Sequence, residues 1–229
     1  MRASRHAVWI PDKLQFLLNR KARYKVAYGG RGGAKSRSFA TALILLCYSF
    51  RRRVVCGREL QNSLADSVYQ LLVDTIGRLG LERYFYITKE SIACTRTGST
   101  IIFKGIKNNV DAIKSLEDAD IIWLEEADKI SKNSWEKIIP TMRKPGSEIW
   151  VSFNPENEDD PTYQMFVARE PPPNSIVVKI GWEDIRPVRP PAGGVSRLPR
   201  GGWAGKRAPS SVLSRWGRRP STGLTNGVS

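Results

Sequence analysis

Gly29-Gly30-Arg31-Gly32-Gly33-Ala34-Lys35-Ser36 is the stretch on which the reading of this chain turns. It fits the phosphate-binding pattern G-x-x-x-x-G-K-[ST], except that Ala34 stands where the second glycine is usual. Glycines let the backbone wrap until successive N–H groups converge on phosphate oxygens, and a helix starting directly afterwards points its positive end at the same anion. The flanks agree with this. Lys25 to Tyr28 reads as a short strand running into the loop, and Lys35 to Tyr48 as a helix with Phe39, Leu43 and Leu46 at helical spacing. In that setting Lys35 bridges the β- and γ-phosphates of ATP and Ser36 ligates Mg²⁺. The alternative is a glycine-rich turn that happens to precede Lys-Ser, and the strand before and helix after weigh against it.

Outward from the loop, strand-like and helix-like segments alternate through the first 184 residues, as a sheet covered on both faces by helices requires. Val54-Val55-Cys56 is a second buried strand. Ser63 to Leu79 is a second amphipathic helix, with Leu64, Val68, Leu71, Leu72 and Ile76 on one face. Two β-rich runs between Ser91 and Ile106 flank Arg96-Thr97-Gly98-Ser99 and predict a hairpin at the sheet edge. Ile121 to Leu124 and Ile149 to Phe153 are compact apolar runs that predict central strands buried on each face.

Ile121-Ile122-Trp123-Leu124-Glu125-Glu126 places two carboxylates at the end of such a strand. A nucleotide site needs one carboxylate to hold the Mg²⁺ shell and another to orient or deprotonate the attacking water. Glu125 suits the first task and Glu126 the second. Taken alone, two glutamates ending a strand are more often a solvated terminus. Ser152-Phe153-Asn154-Pro155 ends the next strand, and ligands bind at the C-terminal edge of a parallel sheet. Asn154 can therefore hydrogen-bond the γ-phosphate or the water, with a plain Asn-Pro turn as the alternative. Loop and acid pair together give an α/β fold, a P-loop NTPase of the ASCE type with a mainly parallel sheet flanked by helices.

Charge says less. Lys and Arg number 37 against 22 Asp and Glu, a formal +15. Nine of the basic residues and none of the acidic ones lie from Ile185 onward, leaving 28 basic and 22 acidic groups, a net +6, in the first 184 residues. Such an excess suits non-specific contact with phosphate backbones, but many cytosolic enzymes carry as much. Glycine, proline and serine make 20 of the last 45 residues, so residues 185–229 are expected to be a disordered basic tail; a tail that grips nucleic acid is the rival reading. No apolar run is long enough to span a bilayer and no signal-like segment opens the chain, so a soluble protein of the cytoplasm is expected. Cys47, Cys56 and Cys94 lack metal-ligand spacing and read as reduced, buried thiols.

The loop from Gly29 to Ser36, the segment Leu124-Glu125-Glu126-Ala127 and the run Ser152 to Pro155 together resemble the ATPase half of phage terminase large subunits, over about residues 8 to 184. The resemblance implies that Arg31 assists γ-phosphate cleavage and that Gln15 contacts adenine, although a polar residue on a short N-terminal helix accounts equally well for Gln15. Arg58 is a weaker candidate for an arginine supplied to a neighbouring subunit. What the resemblance implies is an ATPase that pulls double-stranded DNA into a preformed capsid, working as a homo-oligomeric ring with portal protein and small terminase subunit. Members of the family continue into a nuclease built on clustered aspartates; no acidic residue follows Asp184, so nuclease activity is expected to be absent. The change of composition near Ile185 resembles translation in another reading frame. Two further readings remain: a remnant that binds nucleotide or DNA without turnover, and another P-loop DNA-dependent ATPase.

Overall fold

β1 (Tyr24–Tyr28) and β2 (Arg53–Arg58) are consecutive in the chain yet two strands apart in the sheet, and that gap creates the functional edge of the domain. The structure, a computed structural model, describes residues 9–32, 34–60, 65–107 and 115–185, all within the unit Met1–Val188. The expected tail, from residue 186 onward, lies outside the described residues, as do Leu64 and Gly33.

The remaining described strands are β3 (Phe85–Ile87), β4 (Ser91–Cys94), β5 (Ser99–Gly105), β6 (Ile121–Glu125), β7 (Glu148–Phe153) and β8 (Ser175–Lys179). Their order is β3-β4-β5-β2-β6-β7-β1-β8. From β5 to β8 all pairings are parallel, and only β3-β4 and β4-β5 are antiparallel. The sheet is thus mainly parallel, with β6 and β7 central as their apolar runs predict. The expected hairpin is β4-β5, but β3 pairs outside it and forms the true edge.

Both faces of the sheet are covered, which explains the unbroken apolar runs. Alternate residues of β6 enter opposite cores: Trp123 packs with Phe39, Leu43 and Trp150, whereas Ile122 and Leu124 pack with Val55, Trp135 and Ile138. A single helical turn, α1 (Phe16–Asn19), precedes β1 and buries Phe16 and Leu17. Phe39 projects from α2 (Lys35–Ser49) and meets Trp123 and Trp150 at ring distances of 5.8 and 5.7 Å, pairs worth about 1 kcal/mol each beyond area burial. The chain stacks α2 on one face together with α3 (Gln70–Arg78). The second amphipathic helix differs from expectation at its start, where Ala65–Tyr69 forms a wide π turn before α3 begins. Val68, Leu72 and Ile76 are buried as expected, while Leu71 is only partly so. The three cysteines are free and buried, and burial raises the Cys47 thiol to about 12. Among the described residues no helix is long and apolar enough to cross a membrane.

Candidate nucleotide site

Because β6 and β7 insert between β1 and β2, the C-terminal ends of four parallel strands converge on one crevice. The phosphate-loop segment leaves β1 with two forced glycine conformations. Gly29 has φ +139°, and a Cβ there would lie 2.1 Å from the Ile180 carbonyl oxygen; Gly32 has φ +86°. Ala34 takes φ +53°, ψ +19°, the left-handed conformation that a glycine adopts freely and that costs an alanine about 1 kcal/mol. This is the physical reason for the glycine usual at that place. Helix α2 starts immediately after Ala34 and has no side-chain cap, so its first amides remain available to an anion.

Lys35 is buried, and its Nζ donates to the carbonyl oxygens of Gly29 (2.9 Å) and Gly30 (2.8 Å). Burial lowers the pKa of its ammonium below the ordinary lysine value, and Glu125 opposes that shift. The Ser36 hydroxyl donates to Glu125 Oε1 at 2.9 Å, across 89 residues of sequence. Glu125 ends β6, and Glu126 follows in the left-handed region at φ +51°, ψ +47°, so the two carboxylates leave the strand in different directions. The turn after Glu126 is pinned from below: Trp135 Nε1 donates to Thr162 Oγ1 (2.9 Å), whose hydroxyl donates to the Ala127 carbonyl. Beside them, Trp123 Nε1 donates to Ser152 Oγ (2.9 Å) and ties β6 to β7 under the site. Asn154, past the end of β7, has a buried Oδ1 with no hydrogen-bond partner among the described residues.

A cavity of about 460 Å³ is lined by Arg31, Lys35, Ser36, Glu125, Glu126 and Asn154, with Gly32, Ala34, Arg37, Ser152, Phe153 and Ile185 completing its walls. Most of the residues singled out from sequence therefore meet in one place. Gly29 and Gly30 are tied to it through the carbonyls that hold Lys35. Gln15 does not line it: the side chain is exposed and its Nε2 donates to Asp12 Oδ1 at 2.8 Å.

Arg58, read from sequence as a weaker candidate for an arginine supplied to a neighbouring subunit, lies beside the acid pair of its own chain. It is buried at the end of β2, its Nε donates to Glu125 Oε2 (2.8 Å), its Nη2 also reaches that oxygen, and Nη2 lies 3.2 Å from Glu126 Oε1. Its role was not visible from motifs because it depends on β2 lying beside β6, a long-range pairing. Arg37 was also missed; it follows Ser36, and the motif pattern assigns nothing to that position.

The family model for the phage terminase large subunit matches residues 21–179. Over 163 residues the chain is 26% identical to the PBSX phage terminase large subunit of Bacillus subtilis, an alignment spanning 70% of this chain and 37% of that protein. The chain thus spans well under half the length of that relative. The fold matches the large terminase of a thermophilic bacteriophage in complex with ADP, with a TM-score of 0.58 and 12% identity, over 76% of this chain and 46% of that one. It also matches the large terminase ATPase domain of Thermus phage P74-26, with a TM-score of 0.56 and 16% identity, over 77% of this chain and 83% of that domain.

Proposed function

The chain belongs to the phage terminase large subunit family, and we propose that its described domain is an ATP-hydrolysing motor that drives double-stranded viral DNA into a preformed capsid. The observation that carries this reading is the meeting of Lys35, Ser36, Glu125, Glu126 and Asn154 around one cleft. Nucleotide binding is further supported by the ADP held by the thermophilic-phage terminase of the same fold.

In this reading the triphosphate lies along the amides of residues 29 to 32 and 34 to 36, and Lys35 exchanges the carbonyls of Gly29 and Gly30 for β- and γ-phosphate oxygens. Ser36 Oγ and Glu125 Oε1, two hard oxygen donors 2.9 Å apart, fit Mg²⁺. That ion supplies positive charge against the phosphate oxygens. Water attacks the γ-phosphorus in line, Glu126 takes its proton, the bond to the β-phosphate oxygen breaks, and ADP and phosphate leave. The buried Asn154 Oδ1 accepts the other water hydrogen and so fixes the angle of attack. Arg31, exposed at the mouth of the cleft, spreads the charge that develops on the γ-phosphoryl group. Arg58 positions Glu126 beside the cleft through the 3.2 Å contact between its Nη2 and Glu126 Oε1.

The motor grips the DNA backbone without sequence preference and acts in the host cytoplasm as a homo-oligomeric ring with portal protein and small subunit. ATP turnover with and without DNA tests this reading, beside Lys35→Ala and Glu126→Ala. Turnover stimulated by DNA and abolished by either change is expected. Turnover that survives both changes defeats the site assignment, and binding without turnover in the parent chain favours a nucleotide-binding remnant.

A further inference from the structure

A second surface, rich in arginine and tyrosine, lies at the opposite edge of the sheet from the cleft. Parallel strands β6 and β7 deliver their C-terminal ends to the cleft, whereas Arg51 and Arg52 lead into the N-terminal end of β2, parallel to both. The β4-β5 turn, residues 95 to 98, folds against this end: the Arg52 amide donates to Ser99 Oγ (3.0 Å), and Ser99 Oγ donates to the Phe50 carbonyl (2.8 Å).

The side chains form a layered arrangement. The Arg96 guanidinium sits 4.6 Å from the Tyr48 ring centre and its Nη1 donates to the Tyr48 hydroxyl at 3.3 Å. Tyr48 meets Tyr84 edge to face at 5.1 Å, and the Arg83 guanidinium sits 4.6 Å from the Tyr84 ring. Arg52 lies 5.8 Å from the Phe50 ring, and Arg51 Nε lies 4.0 Å from where a Cβ on Gly98 would be. Arg51, Arg83 and Arg96 are exposed. Among the described residues none of these four arginines forms a close ion pair with a carboxylate; the adjacent Arg53 does, with Asp118 at 3.7 Å. Arg52 also feels Asp120 at longer range, but that carboxyl is already held by Lys144.

We propose that Arg51, Arg52, Arg83 and Arg96 form a contact surface for the phosphate backbone of duplex DNA. The inference rests on the DNA-translocating reading above and adds to it a surface that no nucleotide group uses. Four cations without close counter-charges concentrate a positive potential, which a polyanion relieves. All four are arginines, whose planar forks match phosphate oxygens two at a time and keep their N–H edges free when the plane rests on an aromatic ring. The rings of Tyr48 and Tyr84 already carry guanidinium groups, so they orient arginines and are not open platforms for stacked bases. Backbone contact to a duplex is the mode that remains.

The test measures binding of the full chain to a short fluorescein-labelled duplex by anisotropy across a salt series. The arginine variant Arg83→Gln/Arg96→Gln is compared with a charge-matched variant far from the patch, Lys132→Gln/Lys137→Gln. Each phosphate contact contributes about 0.9 to the slope of log affinity against log salt, so the arginine variant is expected to lower the slope by about 2 and to weaken binding on the order of tenfold. The lysine variant changes little, and ATP turnover without DNA is the same in both. Equal behaviour of the two variants overturns the proposal. So does poly-glutamate binding the parent as tightly as the duplex, which would make an acidic protein the partner. Patch-dependent DNA binding in a chain without ATP turnover would refute the hydrolysis reading alone.

Discussion

Arg58 Nη2 and Glu126 Oε1 lie 3.2 Å apart, and the same guanidinium also holds Glu125, so one buried cation from β2 restrains both carboxylates that β6 brings to the cleft. Removing it takes away the one cation that bridges the two carboxylates and leaves Glu126 with only the longer, exposed contact to Lys129 at 3.6 Å. Arg58→Ala is expected to destabilise the domain by about 3 kcal/mol, as for other broken buried pairs. ATP turnover is also expected to fall, because Glu126 loses the group that fixes its position beside the cleft. Chemical denaturation and ATP turnover check both; unchanged turnover would mean that Arg58 does not govern Glu126.

Two exchanges of small residues in the phosphate loop are expected to act in opposite directions. Gly29→Ala places a methyl 2.1 Å from the Ile180 carbonyl oxygen at φ +139°, so it should cost at least about 2 kcal/mol and weaken nucleotide binding. Ala34→Gly removes the left-handed strain at φ +53°, offset by the greater freedom of glycine in the unfolded chain. Its melting temperature should stay level or rise, with nucleotide affinity retained. A loss of stability in Ala34→Gly equal to that in Gly29→Ala would contradict the loop geometry.

Asp120 predicts a pH dependence of stability. Burial alone would raise its carboxyl, but the Lys144 ammonium (2.7 Å) and the Arg53 amide (2.7 Å) outweigh this and hold it below the ordinary aspartate value. A depressed folded-state pKa contributes stability above the unfolded pKa that is lost as pH falls through the folded value. Asp120→Asn should therefore cost about 1 to 2 kcal/mol near neutrality. The difference from the parent should close once the pH has fallen below the ordinary carboxylate range. Urea melts at neutral and acidic pH measure it, and a difference independent of pH would count against the ion pair.

The parts of the fold that were legible in the sequence are those with local signals. β6 and β7 are unbroken apolar runs because both faces are covered, and α2 follows its loop at helical spacing. β3 and β8 were not read. β3 has three residues, and β8 is an edge strand whose residues are half-buried or exposed, so neither shows a burial pattern. The site divides in the same way. Lys35, Ser36, Glu125 and Glu126 belong to contiguous motifs, whereas the grip of Arg58 on the acid pair arises only once strand order sets β2 beside β6. The arginine surface was hidden for the same reason: Tyr48, Arg83 and Arg96 are separated by more than a dozen residues each and meet only through the packing of Tyr84 and the β4-β5 turn on Tyr48.

The most direct measurement identifies the nucleotide that remains bound after incubation with ATP and Mg²⁺, rapid desalting and acid quench. The parent chain should yield ADP, Glu126→Gln should retain unhydrolysed ATP, and Lys35→Ala should retain neither, because the loop binds the triphosphate and Glu126 acts on the water. ADP recovered from Glu126→Gln in the amount found for the parent, or full nucleotide retention by Lys35→Ala, would contradict that division of labour.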